Sequence, residues 1–192
     1  MGSKFLISTE GIFDKLIIDT LIEIIDYQGQ YSANLSKNII VRKSGGISGV
    51  IRQIEGTDYH CIGIIDDDKR KPKSYSDYAD CEISEKKEIE NIIYRYKENG
   101  HFKYLIVFCP APEKWLDKCA IEISSSRKDF GLPEFFDDYR DMTKRSEMTG
   151  EDRALLTNYI KKLDSQGSYT LMLLKRSLMR LVNYHLKDRT SE

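Results

Sequence analysis

Tyr59-His60-Cys61-Ile62-Gly63-Ile64-Ile65 is a largely apolar run that breaks off at Asp66-Asp67-Asp68. A continuous apolar run of this length, rich in β-branched residues and closed by a polar break, marks a strand buried on both faces. Three similar runs surround it. Lys4-Phe5-Leu6-Ile7-Ser8 leads into a turn at Thr9-Glu10-Gly11, Asn38-Ile39-Ile40-Val41-Arg42 leads to Ser44-Gly45-Gly46, and Phe102 to Cys109 is stopped by Pro110. The segments between them repeat with helical period. Phe13 to Asp26 sets Leu16, Ile17, Leu21, Ile24 and Ile25 on one broad face, which Ile18 and Ile22 widen. Ile47 to Ile54 reads as a short helix. Ser84 as N-cap, Ile89, Ile92, Ile93 and Tyr96 at helical spacing, and Asn99-Gly100 as a stop predict another. Glu113-Lys114-Trp115-Leu116 opens a fourth.

Strands and helices alternating in this way predict an α/β fold. The expected architecture is a parallel sheet of about four strands with helices on both faces. This sheet occupies residues 1–123, and 124–192 form a helical extension packed on it, either as a second unit or as part of one single domain. From Ser124 to Gly150 the periodicity loosens. Thr149-x-x-Asp152 then resembles a capping box ahead of an apolar face of Leu155, Leu156, Tyr159, Ile160 and Leu163. A last helix, Ser168 to Lys187, carries a stripe of Leu171, Leu174, Leu178, Leu181 and Val182, which suits core packing or a homodimer seam.

The chain has 192 residues, 40% hydrophobic and 32% charged, so it is long and apolar enough to bury a core and is neither disordered nor a disulfide miniprotein. Thirty basic and 31 acidic side chains leave a net charge of -1, so any affinity for nucleic acid has to come from local patches. No apolar run approaches the roughly 20 residues of a membrane span. Met1-Gly2-Ser3-Lys4 has no signal-peptide pattern, and a cytoplasmic location is expected. Cys61, Cys81, Cys109 and Cys119 lack Cys-x-x-Cys spacing and read as reduced thiols. His60, His101 and His185 are scattered along the chain, which argues against zinc.

The acids carry the chemistry. Ligands of parallel α/β sheets sit beyond the carboxyl ends of the strands. Glu10 ends the first strand, Asp66-Asp67-Asp68 the third, and Glu113 follows the fourth. Strand alternation sets Asp66 and Asp68 on one side and Asp67 on the other. Carboxylates gathered at one edge repel, and a hard divalent cation, Mg²⁺ or Mn²⁺, relieves that repulsion.

Strand–Glu10-Gly11-x-x-Asp14–helix, followed two strands later by strand–Asp66-x-Asp68, resembles the Toprim domain of topoisomerases, bacterial primases, OLD-type nucleases and a small ribosomal-RNA maturation ribonuclease. Phe5 to Asp14, Ile62 to Asp68 and Gly45-Gly46 carry the resemblance, which covers roughly residues 4–120. It implies Glu10 as a general acid/base or metal ligand, and Asp66 and Asp68 as Mg²⁺ ligands and catalytic residues. It also implies Glu113 as a further metal ligand of the OLD-like branch. Asp14 matches a frequent family acid and equally suits a charge at a helix N-terminus. Asp67, standing where many members have a small residue, leaves open which pair binds metal. There is no topoisomerase or primase accessory domain and no Gly-x-x-x-x-Gly-Lys-Ser/Thr ATPase loop. The chain thus looks like a stand-alone Toprim-like protein.

Lys69, Arg70, Lys71 and Lys73 follow the acids at once and are suited to nucleic-acid phosphates. Tyr75 and Tyr78 suit base stacking. Lys144-Arg145 and Lys175-Arg176 are further basic pairs. The expected function is metal-dependent phosphodiester hydrolysis on DNA or RNA. The alternative is a non-catalytic or partner-dependent regulatory module of a defence or nucleic-acid-processing system, with an ATPase as one candidate partner. A phospho-receiver or phosphatase fits less well, because those place their key aspartate after the first strand, where Glu10 stands here.

Overall fold

The computed structural model describes residues 5–29, 35–67, 70–80, 92–99 and 101–187. Each apolar run quoted above forms a strand: β1 (Phe5–Thr9), β2 (Ile39–Lys43), β3 (Cys61–Asp66) and β6 (His101–Phe108). Two more complete the sheet, β4 (Ala79–Asp80) and β5 (Ile92–Asn99). The strand order is β2-β1-β3-β6-β5-β4. β2, β1, β3 and β6 run parallel, whereas β5 pairs antiparallel with β6, and β4 antiparallel with β5. The sheet is therefore mostly parallel, as expected, with two additional strands at one edge.

Strand β5 corrects the helix expected around Ile89 to Tyr96; the Ser84 cap and Ile89 lie outside the described residues. Ile92-Ile93-Tyr94-Arg95-Tyr96 is dense in β-branched and aromatic side chains, which a strand accommodates better than a helix. Asn-Gly is also the strongest short hairpin signal. Asn99 lies opposite His101 and Ile92 opposite Phe108, so β5 and β6 are antiparallel neighbours.

The helices are α1 (Ile12–Tyr27), α2 (Leu35–Asn38), α3 (Ile47–Glu55), α4 (Pro112–Glu122), α5 (Phe136–Thr143), α6 (Gly150–Ser165) and α7 (Tyr169–Lys187). Strand alternation sorts the core into two clusters. Phe5, Ile7, Ile62, Ile64, Ile106 and Phe108 face α1, α4, α6 and α7, whereas Leu6, Cys61, Ile65, Leu105 and Val107 face α3. A Cβ on Gly63 would stand 2.7 Å from both Val50 Cγ1 and Leu105 Cδ2, so the bare glycine lets α3 lie directly on β3.

The helices beyond residue 124 share the first cluster. Tyr139, Leu156, Tyr159, Leu163, Leu171 and Leu174 are buried with Trp115 and the α1 isoleucines in one continuous core. The whole stripe from Leu171 to Val182 is consumed there, so the leucines pack inside the chain and form no dimer seam. Thr149 caps α6 as expected, its Oγ1 accepting from the Asp152 N–H at 3.1 Å. Glu122 caps the start of α7, accepting from the Ser168 hydroxyl and the Thr170 N–H, each at 2.9 Å. Among the described residues, no helix is long and apolar enough to cross a membrane.

Candidate functional site

From β1 the chain crosses over α1 to β2 on one side, then over α3 to β3 on the other side of β1. Right-handed crossovers in opposite directions put the two helices on opposite faces. A crevice is then left at the carboxyl ends of β1 and β3, where the strand order reverses. Glu10 and Asp66 occupy that point. Glu10 is fixed on three sides: its N–H donates to Ile64 O at 3.1 Å, its carbonyl accepts from Gly46 N–H at 3.3 Å, and its Oε2 accepts from Asp66 N–H at 3.2 Å. Both carboxylates are buried.

Two further buried acids come from helix starts on the same face. Asp14, in the first turn of α1, accepts from the Gly11 N–H at 2.7 Å, which is the capping role open to it from the sequence. Glu113, in the first turn of α4, accepts from the Thr143 hydroxyl at 2.6 Å. Beside it Tyr139 is fully buried. Burial first, then the neighbouring Tyr159, Asp117 and Glu113, raise its phenol far above the usual value and keep it neutral.

These acids line one cleft of about 460 Å³. Glu10, Asp14, Asp66 and Glu113 form its buried floor, and Lys43, Gly45, Gly46, Lys144 and Arg145 stand around it. Gly45 and Gly46 hold φ of +70° and +95°, backbone that side chains resist, and no atom approaches the place of either missing Cβ within 4 Å. The loop is hung from the ladder by Ser44 N–H to Thr9 O at 2.8 Å and braced beneath by the hydroxyls of Ser8 and Ser44 on Gln53 Oε1. Arg145 is anchored by Asp152 at 2.8 Å.

The structure separates Asp66 from Asp67. Asp66 faces the cleft, while the Asp67 carboxylate pairs with Lys71 at 3.0 Å and is not part of the cleft wall. Lys71 also donates to Asp66 O at 2.7 Å, so this lysine closes the loop after β3 on itself. Arg70 and Lys73 are exposed on that loop. Asp68 and Lys69 lie outside the described residues. Tyr78 is wholly buried in the second cluster and cannot stack on a base, and Tyr75 lies under Arg95, 4.4 Å from its ring centre. Lys175 is buried against Asp164, with Gln28 at 3.2 Å, and braces α7 to α6 and α1.

Of the residues expected to act together, Glu10, Asp66 and Glu113 are thus on one cleft. The residues that complete its wall, Thr143 above all, come from a stretch whose periodicity is too weak to place from sequence. The donor set is all oxygen, which suits Mg²⁺ or Mn²⁺. Among the described residues, no group of three or more His, Cys, Asp or Glu side chains is placed to hold a metal ion. Mg²⁺ needs fewer, because it commonly keeps several waters and takes one or two carboxylates. Cys61 and Cys119 are buried free thiols, and burial, helped by nearby Asp67, pushes the Cys109 thiol up to about 11. Cys81 lies outside the described residues. His60 and His101, far apart in sequence, are neighbours with ring centres 5.2 Å apart. They sit at the opposite end of β3 and β6 from the cleft. No family model matches the chain, and no curated protein or solved structure matches it significantly.

Proposed function

We propose that this chain is a Mg²⁺- or Mn²⁺-dependent phosphodiesterase acting on nucleic acid through a Toprim-like site. The observation that carries the reading is the meeting of Glu10 and Asp66, delivered by different strands to the switch point of the sheet and tied by the Asp66 N–H on Glu10 Oε2 at 3.2 Å. Glu10 and Asp66 would hold the ion, with water filling its remaining positions. The bound ion supplies Lewis-acid polarisation of the phosphate and charge stabilisation at the leaving oxygen. The chain's own part is to orient and to handle protons. The bond from Asp66 N–H uses one of the roughly four lone-pair sites of the Glu10 carboxylate and fixes its plane; the carboxylate can then accept a proton from attacking water. Lys43, Lys144 and Arg145 present positive charge at the mouth for the phosphates that flank the scissile one.

The test is cleavage of single- and double-stranded DNA and RNA with Mg²⁺ or Mn²⁺, comparing wild type with Glu10→Gln and Asp66→Asn. Divalent-dependent cleavage that both variants lose, with circular dichroism unchanged, supports the assignment. A wild type that binds the ion yet cuts no substrate contradicts it and moves the cleft to the partner-dependent module.

A further inference from the structure

The sheet sets the charged groups of the cleft in a row. Strand order β2-β1-β3-β6 brings, in turn across its carboxyl edge, Lys43 at the end of β2, Glu10 after β1, Asp66 at the end of β3, and Lys144 and Arg145 on the side of β6. These last two are held there because Thr143, the residue before them, donates to Glu113 in the first turn of α4 at 2.6 Å. Neighbouring strands stand about 4.8 Å apart, so the row is three spacings, about 14 Å, long. Its ends are basic and exposed. Its middle is acidic and recessed, with Glu10 5% and Asp66 8% exposed.

A phosphate has to come down to the acids while its neighbours stay up at the two basic ends. The cleft, about 460 Å³, has the size of a small-ligand pocket and takes about one nucleotide. A paired strand holds its phosphates on a stiff cylinder whose wider groove alone is about 12 Å across. An unpaired strand can bend one phosphate inward, and a positive groove that tracks the backbone is how proteins hold single strands. Basic side chains on both sides also carry the line of phosphates past the cleft in both directions. From this we infer that the cleft takes an unpaired stretch of DNA or RNA lying across the strands from β2 to β6, and cuts it internally, with no need of an end. The inference rests on the phosphodiesterase reading given above. Each cut adds one water across one phosphodiester. The water oxygen bonds to phosphorus, one P–O bond to a sugar breaks, Glu10 takes the water proton, and solvent protonates the departing oxygen.

The experiment is Mn²⁺-dependent cleavage, by the full chain, of single-stranded circles of DNA and of RNA. Each circle is also opened to a linear strand and, separately, annealed to a full-length complement. The circles should be cut as readily as the linear strands. Annealing should slow the cut about 100-fold, the cost of opening roughly two base-pair steps. The DNA and RNA arms show which sugar the cleft accepts. Binding of the same circles to Glu10→Gln protein tests the row: Lys43→Ala and Lys144→Ala should each lower the salt slope by about one. Annealed circles cut as fast as bare ones overturn the unpaired requirement. Linear strands degraded while circles stay intact overturn the internal cut. A slope that either lysine substitution leaves unchanged overturns the two-sided row. Each of these leaves the phosphodiesterase reading standing, whereas a wild type that cuts none of the substrates overturns both.

Discussion

The two ends of the parallel strands both bury charge, and they do so in opposite ways. At the amino end Lys103 is nearly inaccessible, and its ammonium donates to Thr57 O at 2.6 Å, Thr57 Oγ1 at 2.8 Å and Tyr59 O at 2.7 Å. Three donors meet three neutral acceptors just beyond the carboxyl end of α3, where a cation is favoured. That shell is closed by the chain itself. At the carboxyl end Glu10, Asp14, Asp66 and Glu113 gather charge of one sign around an open cleft with basic side chains at its mouth. A buried charge whose bonds are completed by local backbone holds the fold together. Buried like charges that open onto a cavity are what the proposed cation would offset.

This contrast breaks first if the two ends respond alike to mutation. The largest expected effect is at the acids: Glu10→Gln or Asp66→Asn should lower divalent-dependent cleavage by about 10²- to 10⁴-fold. The melting temperature should stay equal or rise, because a mutual repulsion has been removed. Steady-state rates and thermal melts on the same samples check both halves. Lys103→Met should do the reverse. It leaves buried carbonyls without a donor and should cost roughly 2–3 kcal/mol of stability in urea titration, with cleavage per folded molecule unchanged. A Lys103→Met protein with native stability would show that the closed shell is not what holds that end.

Gly46→Ala sharpens the comparison at its boundary. At φ +95° and ψ 163°, a region essentially reserved for glycine, an added Cβ meets no neighbour, so the change acts through the backbone alone and should cost about 1–3 kcal/mol. Because the Gly46 N–H also holds the Glu10 carbonyl, cleavage should fall beyond what the lost stability explains. The smallest effect is expected outside the cleft. Replacing exposed Arg70 and Lys73 by alanine should leave the rate at saturating substrate intact and reduce the salt slope of nucleic-acid binding by about one per lost phosphate contact.

Much of this was legible from residue order. The parallel core could be read because strands buried on both faces carry continuous apolar runs, and Glu10 and Asp66 could be found because each closes such a run, Glu113 because it opens the helix that follows one. The antiparallel edge could not be read the same way. Ile89, Ile92, Ile93 and Tyr96 fit a helical stripe as well as a strand, and Asn99-Gly100 serves either as a helix stop or as a hairpin turn. Only pairing with β6 decides between them. The far wall was illegible for a different reason. Thr143 reaches Glu113 across 30 positions through the packing of α5 on α4, and no local pattern encodes that contact. Nor could sequence place Asp67, whose carboxylate pairs with Lys71 while Asp66 lines the cleft. The leucine stripe of α7 fitted two partners equally, and the shared core takes it.

The most direct test of the central claim is anomalous diffraction from a crystal of the wild-type chain soaked in Mn²⁺. The account predicts a peak in the cleft about 2.1 Å from carboxylate oxygens of both Glu10 and Asp66. Manganese bound elsewhere on the surface while the cleft stays empty at saturating concentration would contradict it.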